Sequence, residues 1–264
     1  MGELTVVQGR AGGARVDPAL ADRVIEALLL AGLPVAYGGH GPGVRLVPGE
    51  DDGGVLTLRW ICSARWEDAA AAGSGDPGHR ARRLVADSME TALAEFLPAL
   101  GVPAERLPEP GGTGVGPLPA TAPPATAPPA LGPAAAEQTA AEQTAFAPSA
   151  FAPTAVDPGL AATVRRIAAL AGLPLADRPG AAGITLALHA ADDADDGVAP
   201  GTADLDWRPS RQLPGGDEPD GVRVAVTGAL RHALGATLNA GGLPTAWHRP
   251  RHRPAHLHAV PPPR

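Results

Sequence analysis

Lysine is absent from this chain: all 21 basic residues are arginine. A phosphate-cradling loop that ends in lysine is therefore excluded. The arginine preference and the surplus of Ala, Gly and Pro reflect the codon usage of a GC-rich genome, as in a high-GC bacterium, and carry no Arg-specific chemistry. A single cysteine, Cys62, rules out an intramolecular disulfide and gives no sign of an oxidising compartment. Aromatic residues are scarce, with four Trp, three Phe and one Tyr. The core must be built from Leu, Val, Ile and Ala, which makes it thin and modest in stability. No apolar run approaches the ~18 residues of a membrane span, and the opening MGELTVVQGRAGGAR lacks the apolar stretch of a signal peptide. The expected setting is the cytoplasm, with no membrane partner. No GxGxxG, GxSxG or HExxH stands in a strand or helix context that would give it chemistry. The expectation is a non-enzymatic protein without catalytic residues, cofactor or metal.

What the chain does contain is a repeat. VDPALADRVIEALLLAGLPVA at Val16 to Ala36 returns as VDPGLAATVRRIAALAGLPLA at Val156 to Ala176, with twelve of twenty-one positions identical. In each, Asp followed by Pro makes a helix start, with an acceptor at the N-cap and no wasted N–H at N1. Leu20, Val24, Leu28 and Ala31, and then Leu160, Val164, Ala168 and Ala171, recur at helical spacing. Gly-Leu-Pro closes both helices, Gly tolerating the left-handed position and Pro blocking continuation. Val44 and Leu46 match Ile184 and Leu186 in alternating segments. Leu56, Leu58 and Trp60 then fall in the same phase as Ala203, Leu205 and Trp207, across acidic turns of unequal length. A second helix follows in each, carrying Val85, Met89, Leu93 and Phe96, and then Val226, Leu230, Ala233 and Leu234.

The expected fold is α+β, a tandem duplication of an α-β-β-α module over residues 16–107 and 156–247. A lone hairpin is marginal. The two copies are therefore expected to dock as an intrachain pseudo-dimer, either by joining hairpins edge to edge into one shared four-stranded antiparallel sheet or by packing helices together. Residues 1–15 read as a flexible N-terminus. Residues 108–155, with eleven Pro and no basic residue, read as a disordered linker, and 248–264 as a disordered Arg/His/Pro-rich tail.

Charge argues about partners. The net charge is −7, and both copies are acidic, with eight Arg against thirteen acids over 16–107 and seven against eleven over 156–247. The basic residues gather in the tail and in GHRARRLVADSMETAL, the opening of the first copy's last helix. That opening superficially looks like the double-stranded RNA-binding domain, whose last helix presents basic residues to phosphates. The resemblance would make His79, Arg80, Arg82 and Arg83 a phosphate-contacting patch. Against it stand two clear strands where three are needed, the acidic balance, and Asp220-Gly-Val-Arg-Val-Ala at the matching place in copy two.

Other candidates are weaker. Asp192 to Gly197 lacks ligands at the third and twelfth positions of a calcium loop, which fall on Ala194 and Ala203. His248, His252, His256 and His258 suggest a metal site, but Pro250 and Pro254 break any helix that would align them. Trp60, Trp207 and Cys62 lie in phase with the apolar strand face and read as core. Trp66 and Trp247 have no such phase and read as contact surface. The interaction surface expected is therefore Trp66, Arg80, Arg82, Arg83 and Trp247. The leading function is a protein–protein interaction or regulatory protein whose partner is another protein. The alternatives are a nucleic-acid-associated regulator using Arg80 to Arg83 and the tail, and a small-molecule binder with its site between the modules.

Overall fold

Asp17 and Pro18 start the first helix as their chemistry requires. In the computed structural model, which describes residues 17–36, 41–48, 55–66, 77–108, 112–116, 156–188, 202–214, 221–248 and 256–259, the Asp17 carboxylate accepts from Ala19 N at 3.0 Å and opens α1 (Pro18–Ala31). Leu20, Val24, Leu28 and Ala31 face the core. Gly32 then turns the chain at φ 83°, and Leu33 N returns to Leu28 O at 2.9 Å. Two antiparallel strands follow, β1 (Gly43–Pro48) and β2 (Leu56–Ile61), in a register that pairs Val44 with Trp60 and Leu46 with Leu58. Next comes the long α2 (Pro77–Phe96), extended by a 3-10 turn at Leu97–Leu100. The short strands β3 (Ala104–Arg106) and β4 (Thr113–Val115) complete a sheet of order β1-β2-β4-β3.

The second half runs through the same order. Its elements are α3 (Pro158–Ala171), β5 (Gly183–Leu188), β6 (Ala203–Arg208), α4 (Val222–Ala240), β7 (Thr245–His248) and β8 (His256–Ala259). Its sheet has order β5-β6-β8-β7. The fold is thus α+β with two four-stranded antiparallel sheets. The alternation read in Leu56, Leu58 and Trp60 and in Ala203, Leu205 and Trp207 is the buried phase of β2 and β6.

Three expectations need correction. The halves do not share one sheet: β2 and β6 take their second neighbours, β4 and β8, from their own half, and no described strand of one half pairs with a strand of the other. The stretch 108–155 is not structureless throughout, since Thr113–Val115 forms β4; residues 117–155 lie outside the described residues. Nor is 248–264 a tail throughout, since His248 ends β7 and His256–Ala259 is an inner strand. The expected flexible N-terminus and the two acidic turns also lie outside the described residues.

With each sheet closed within its own half, the halves meet through helices and strand ends. One hydrophobic cluster runs through both, and α2 packs directly on α4. The last carbonyls of a helix have no partner within it, and here each half supplies partners for the other. The Trp60 indole donates to Ala171 O at 2.8 Å and Ser63 N to Leu170 O at 2.9 Å. Reciprocally, the Trp207 indole donates to Ala31 O at 2.8 Å and Ser210 N to Leu30 O at 2.9 Å. Residue i of one half meets residue j of the other and the converse, the signature of a two-fold interface.

The closing glycines are part of this junction. A Cβ on Gly32 would lie 2.6 Å from Ala182 Cβ, and one on Gly172, itself at φ 80°, 2.4 Å from Pro42 Cβ. Each therefore combines a left-handed backbone with close approach of the opposite half. Gly32→Ala and Gly172→Ala should each lower stability by about 1–3 kcal/mol, from strain at positive φ plus overpacking. Urea unfolding of the two variants measures this; a neutral or stabilising result would mean that the halves are not in contact at the helix ends.

Candidate functional site

Strand β2 runs past the end of β4, so the backbone N–H of Trp60 faces α2 rather than a neighbouring strand. Glu90 of α2 fills that position, its buried carboxylate accepting from Trp60 N at 3.1 Å and meeting the Arg106 guanidinium at 3.0 Å. Arg106 also pairs with Asp87 and donates to Gly112 O at 2.5 Å. Thr113 Oγ1 donates to the Glu90 backbone carbonyl at 2.5 Å. A buried carboxylate is tolerable only with such partners, and this network ties α2 to β2, β3 and β4.

The second half reaches the same end with charges exchanged. Position 206 of β6 corresponds to Arg59, and position 231 of α4 to Glu90. There the carboxylate stands on the strand, Asp206 accepting from Trp207 N at 2.6 Å, and the guanidinium on the helix, Arg231 Nε reaching Asp206 at 2.5 Å. Both arrangements satisfy the same orphaned N–H, so these ions serve the fold. Among the described residues no three His, Cys, Asp or Glu side chains are grouped to hold a metal ion; the side chains of His248 and His256 lie outside that set. No described helix is long and apolar enough to cross a membrane.

The expected interaction surface separates into parts. Trp66 is not on the surface: it is buried in the core just after β2, where the thin supply of aromatics is spent on filling volume. Cys62 is buried beside it in sequence, as its phase implied. Arg80 and Arg83 are exposed on the first turns of α2 and Arg82 is half-buried. Their neighbours on the outward stripe are Leu84, Asp87 and Glu95, so the face is mixed in charge. Trp247 is 43 % exposed, on β7 of the other half, with its ring centroid 4.6 Å from that of His232 on α4.

That pair belongs to a surface unlike the outward face of α2. The exposed positions of α4 are Val224, His232, Ala236 and Asn239, with no Arg, Lys, Asp or Glu among them. A Cβ on Gly228, on the same helix, would meet nothing within 4 Å. Asn239 bridges to β7 through two 2.9 Å hydrogen bonds with Thr245. The fully exposed positions of the α4–β7 face thus carry no Arg, Lys, Asp or Glu, the half-buried Arg231 being paired with Asp206, and cross-links to β7 fix Trp247 relative to the helix. Sequence reading singled out Trp247 by its lack of apolar phase; His232 could not be found that way, because its partner on β7 is distant in pattern and adjacent only in the fold. Comparison of the chain with protein-family models, with curated proteins and with solved structures found no match.

Proposed function

We propose that this chain is a non-enzymatic interaction or regulatory protein of the cytoplasm, derived by tandem duplication of one α-β-β-α-β-β unit whose copies dock as a pseudo-dimer. It uses the α4–β7 face to hold a protein partner. The observation that carries this reading is Trp247, exposed and seated on His232 in a surface whose fully exposed positions carry no Arg, Lys, Asp or Glu. Exposed Trp at a preordered position is the residue type that dominates interface energetics. The equivalent face of the first half is charged, so the duplicated faces have diverged and only one suits a neutral partner. A nucleic-acid partner would need a contiguous basic face. Asp87 and Glu95 interrupt the one that Arg80 and Arg83 begin.

The test compares variants of the full chain as bait in an extract of its own host. Trp247→Ala should leave unfolding free energy within about 1 kcal/mol, because the ring is half exposed. It should weaken partner binding at least roughly 30-fold, as loss of a 2 kcal/mol anchor requires. Arg80→Ala with Arg83→Ala should leave that binding unchanged. Recovery of nucleic acid instead, lost in the arginine variants and at raised salt, would replace this reading with the nucleic-acid one.

A further inference from the structure

Helices α1 and α3 are equivalent elements 140 residues apart, and each buries the same stripe against the core. Their outward faces have diverged in a matched way. Past the first turn, the exposed positions are Asp22, Glu26 and Leu29 on α1, and Ala162, Arg165, Arg166 and Ala169 on α3. Spacings of three, four and seven residues put each set on one face of its helix. Glu26 stands where α3 has Arg166, and Leu29, 53 % exposed, where α3 has the small Ala169. The two faces therefore differ in sign of charge and in size of side chain at equivalent positions.

The fold has no evident use for the charges on α3. Arg165 and Arg166 lie in the middle of the helix, away from the ends where the dipole favours a charge of one sign. No Asp or Glu occurs anywhere in α3, so no acid three or four residues away pairs with them. They form a cationic face on a half that is acidic, with seven Arg against eleven acids over 156–247. On α1, Glu26 meets Arg23 at 2.9 Å, and the half-buried Arg23 turns a second nitrogen inward to Leu100 O at 3.2 Å. Asp22, Arg165 and Arg166 have no ion-pair partner among the described residues. Exposed as they are, the two faces do not cover each other within one chain; the face that complements α3 is the α1 of another copy.

We infer that the chain associates head to tail with further copies of itself, the acidic outward face of α1 on one copy lying against the basic outward face of α3 on the next. Asp22 and Glu26 then meet Arg165 and Arg166, and Leu29 covers the small-residue surface of α3. Because unlike faces join, the contact is heterologous: each copy keeps one free face of each kind, and growth is open-ended unless the rotation closes a ring. Exposed ion pairs make such a contact weak. The experiment is therefore sedimentation of the full chain up to about millimolar concentration, where weak contacts are populated. The average mass should rise steadily with concentration. The association constant should fall at least tenfold as ionic strength goes from about 0.01 M to about 1 M and the Debye length from ~30 to ~3 Å. Arg165→Glu with Arg166→Glu, and Asp22→Arg with Glu26→Arg, should each weaken association at least roughly tenfold, as attraction turned to repulsion at two pairs requires. Both variants should keep the wild-type melting temperature, since the altered side chains are exposed. Mixing the two variants restores an α1 face and an α3 face of opposite charge and should restore association. Arg80→Glu with Arg83→Glu, the same change of net charge on α2, and Trp247→Ala should leave it unchanged. A chain that stays monomeric at all concentrations and salts overturns the inference. So does association that survives both reversals, that mixing fails to restore, or that the α2 variant abolishes equally, which would mean a response to net charge alone.

Discussion

Trp60→Ala and Trp207→Ala are each expected to lower the unfolding free energy of the entire chain by about 3–5 kcal/mol, the range for truncating a buried ring. Both rings are buried, at 3 % and 2 % exposure. Each donates its indole N–H across to the other half, to Ala171 O and Ala31 O, both at 2.8 Å. Truncation opens a cavity and also leaves a buried helix-end carbonyl without a donor. Trp60→Phe separates the two contributions, keeping most of the apolar volume while losing the hydrogen bond. It should cost about 1–3 kcal/mol, the penalty of an unsatisfied buried acceptor. Because each ring reaches into the opposite half, both halves should unfold at lower urea in either variant, followed by circular dichroism and by probes placed in each half. An alanine variant that unfolds its own half early while the other keeps its wild-type midpoint would falsify the shared core.

Ending the chain after His248 is the second large perturbation. It removes β8, the strand hydrogen-bonded to β6 on one side and β7 on the other. Leu257 and Ala259 leave the core entirely, and β7 loses the only partner it has among the described strands. The buried Leu alone accounts for about 2–3 kcal/mol. The inner edge of β6 is exposed at the same time, which invites aggregation. The summed loss approaches the whole stability of a domain of this size, so the truncated chain is expected to lose cooperative unfolding of its second half or to precipitate. Calorimetry and size-exclusion chromatography of the two lengths decide it. A truncated chain with an unchanged melting profile would mean that 256–259 contributes nothing to the sheet.

The same two halves show why one part of the design was legible and another was not. Asp-Pro starts, Gly-Leu-Pro stops and the phase of Leu58 or Leu205 are local signals: they act through backbone conformations and periodicities that a window of a dozen residues contains. The ion pairs of Glu90 with Arg106 in one half and of Asp206 with Arg231 in the other leave no such trace, because each pair is joined only when a strand meets a helix. The strands β4 and β8 were hidden for a related reason. Three or four residues are too few to display alternation, and their surroundings are rich in Gly, Pro, Arg and His, which by composition belong to loops.

Sequence by itself determined that the chain holds two like sets of helices and hairpins, where the first helix of each begins and ends, and which of their residues are apolar on one face. Those properties follow from propensity, capping and periodicity, which are local. Tertiary structure alone decided that each hairpin takes two further strands, the inner one (β4 or β8) from a segment resembling linker or tail, and that the halves meet through helix ends and indoles instead of a common sheet. It also decided that Trp66 is core while Trp247 stays at the surface against His232. These choices depend on which backbone donors and acceptors remain unpaired once each sheet is complete, a sum over contacts distant in the chain.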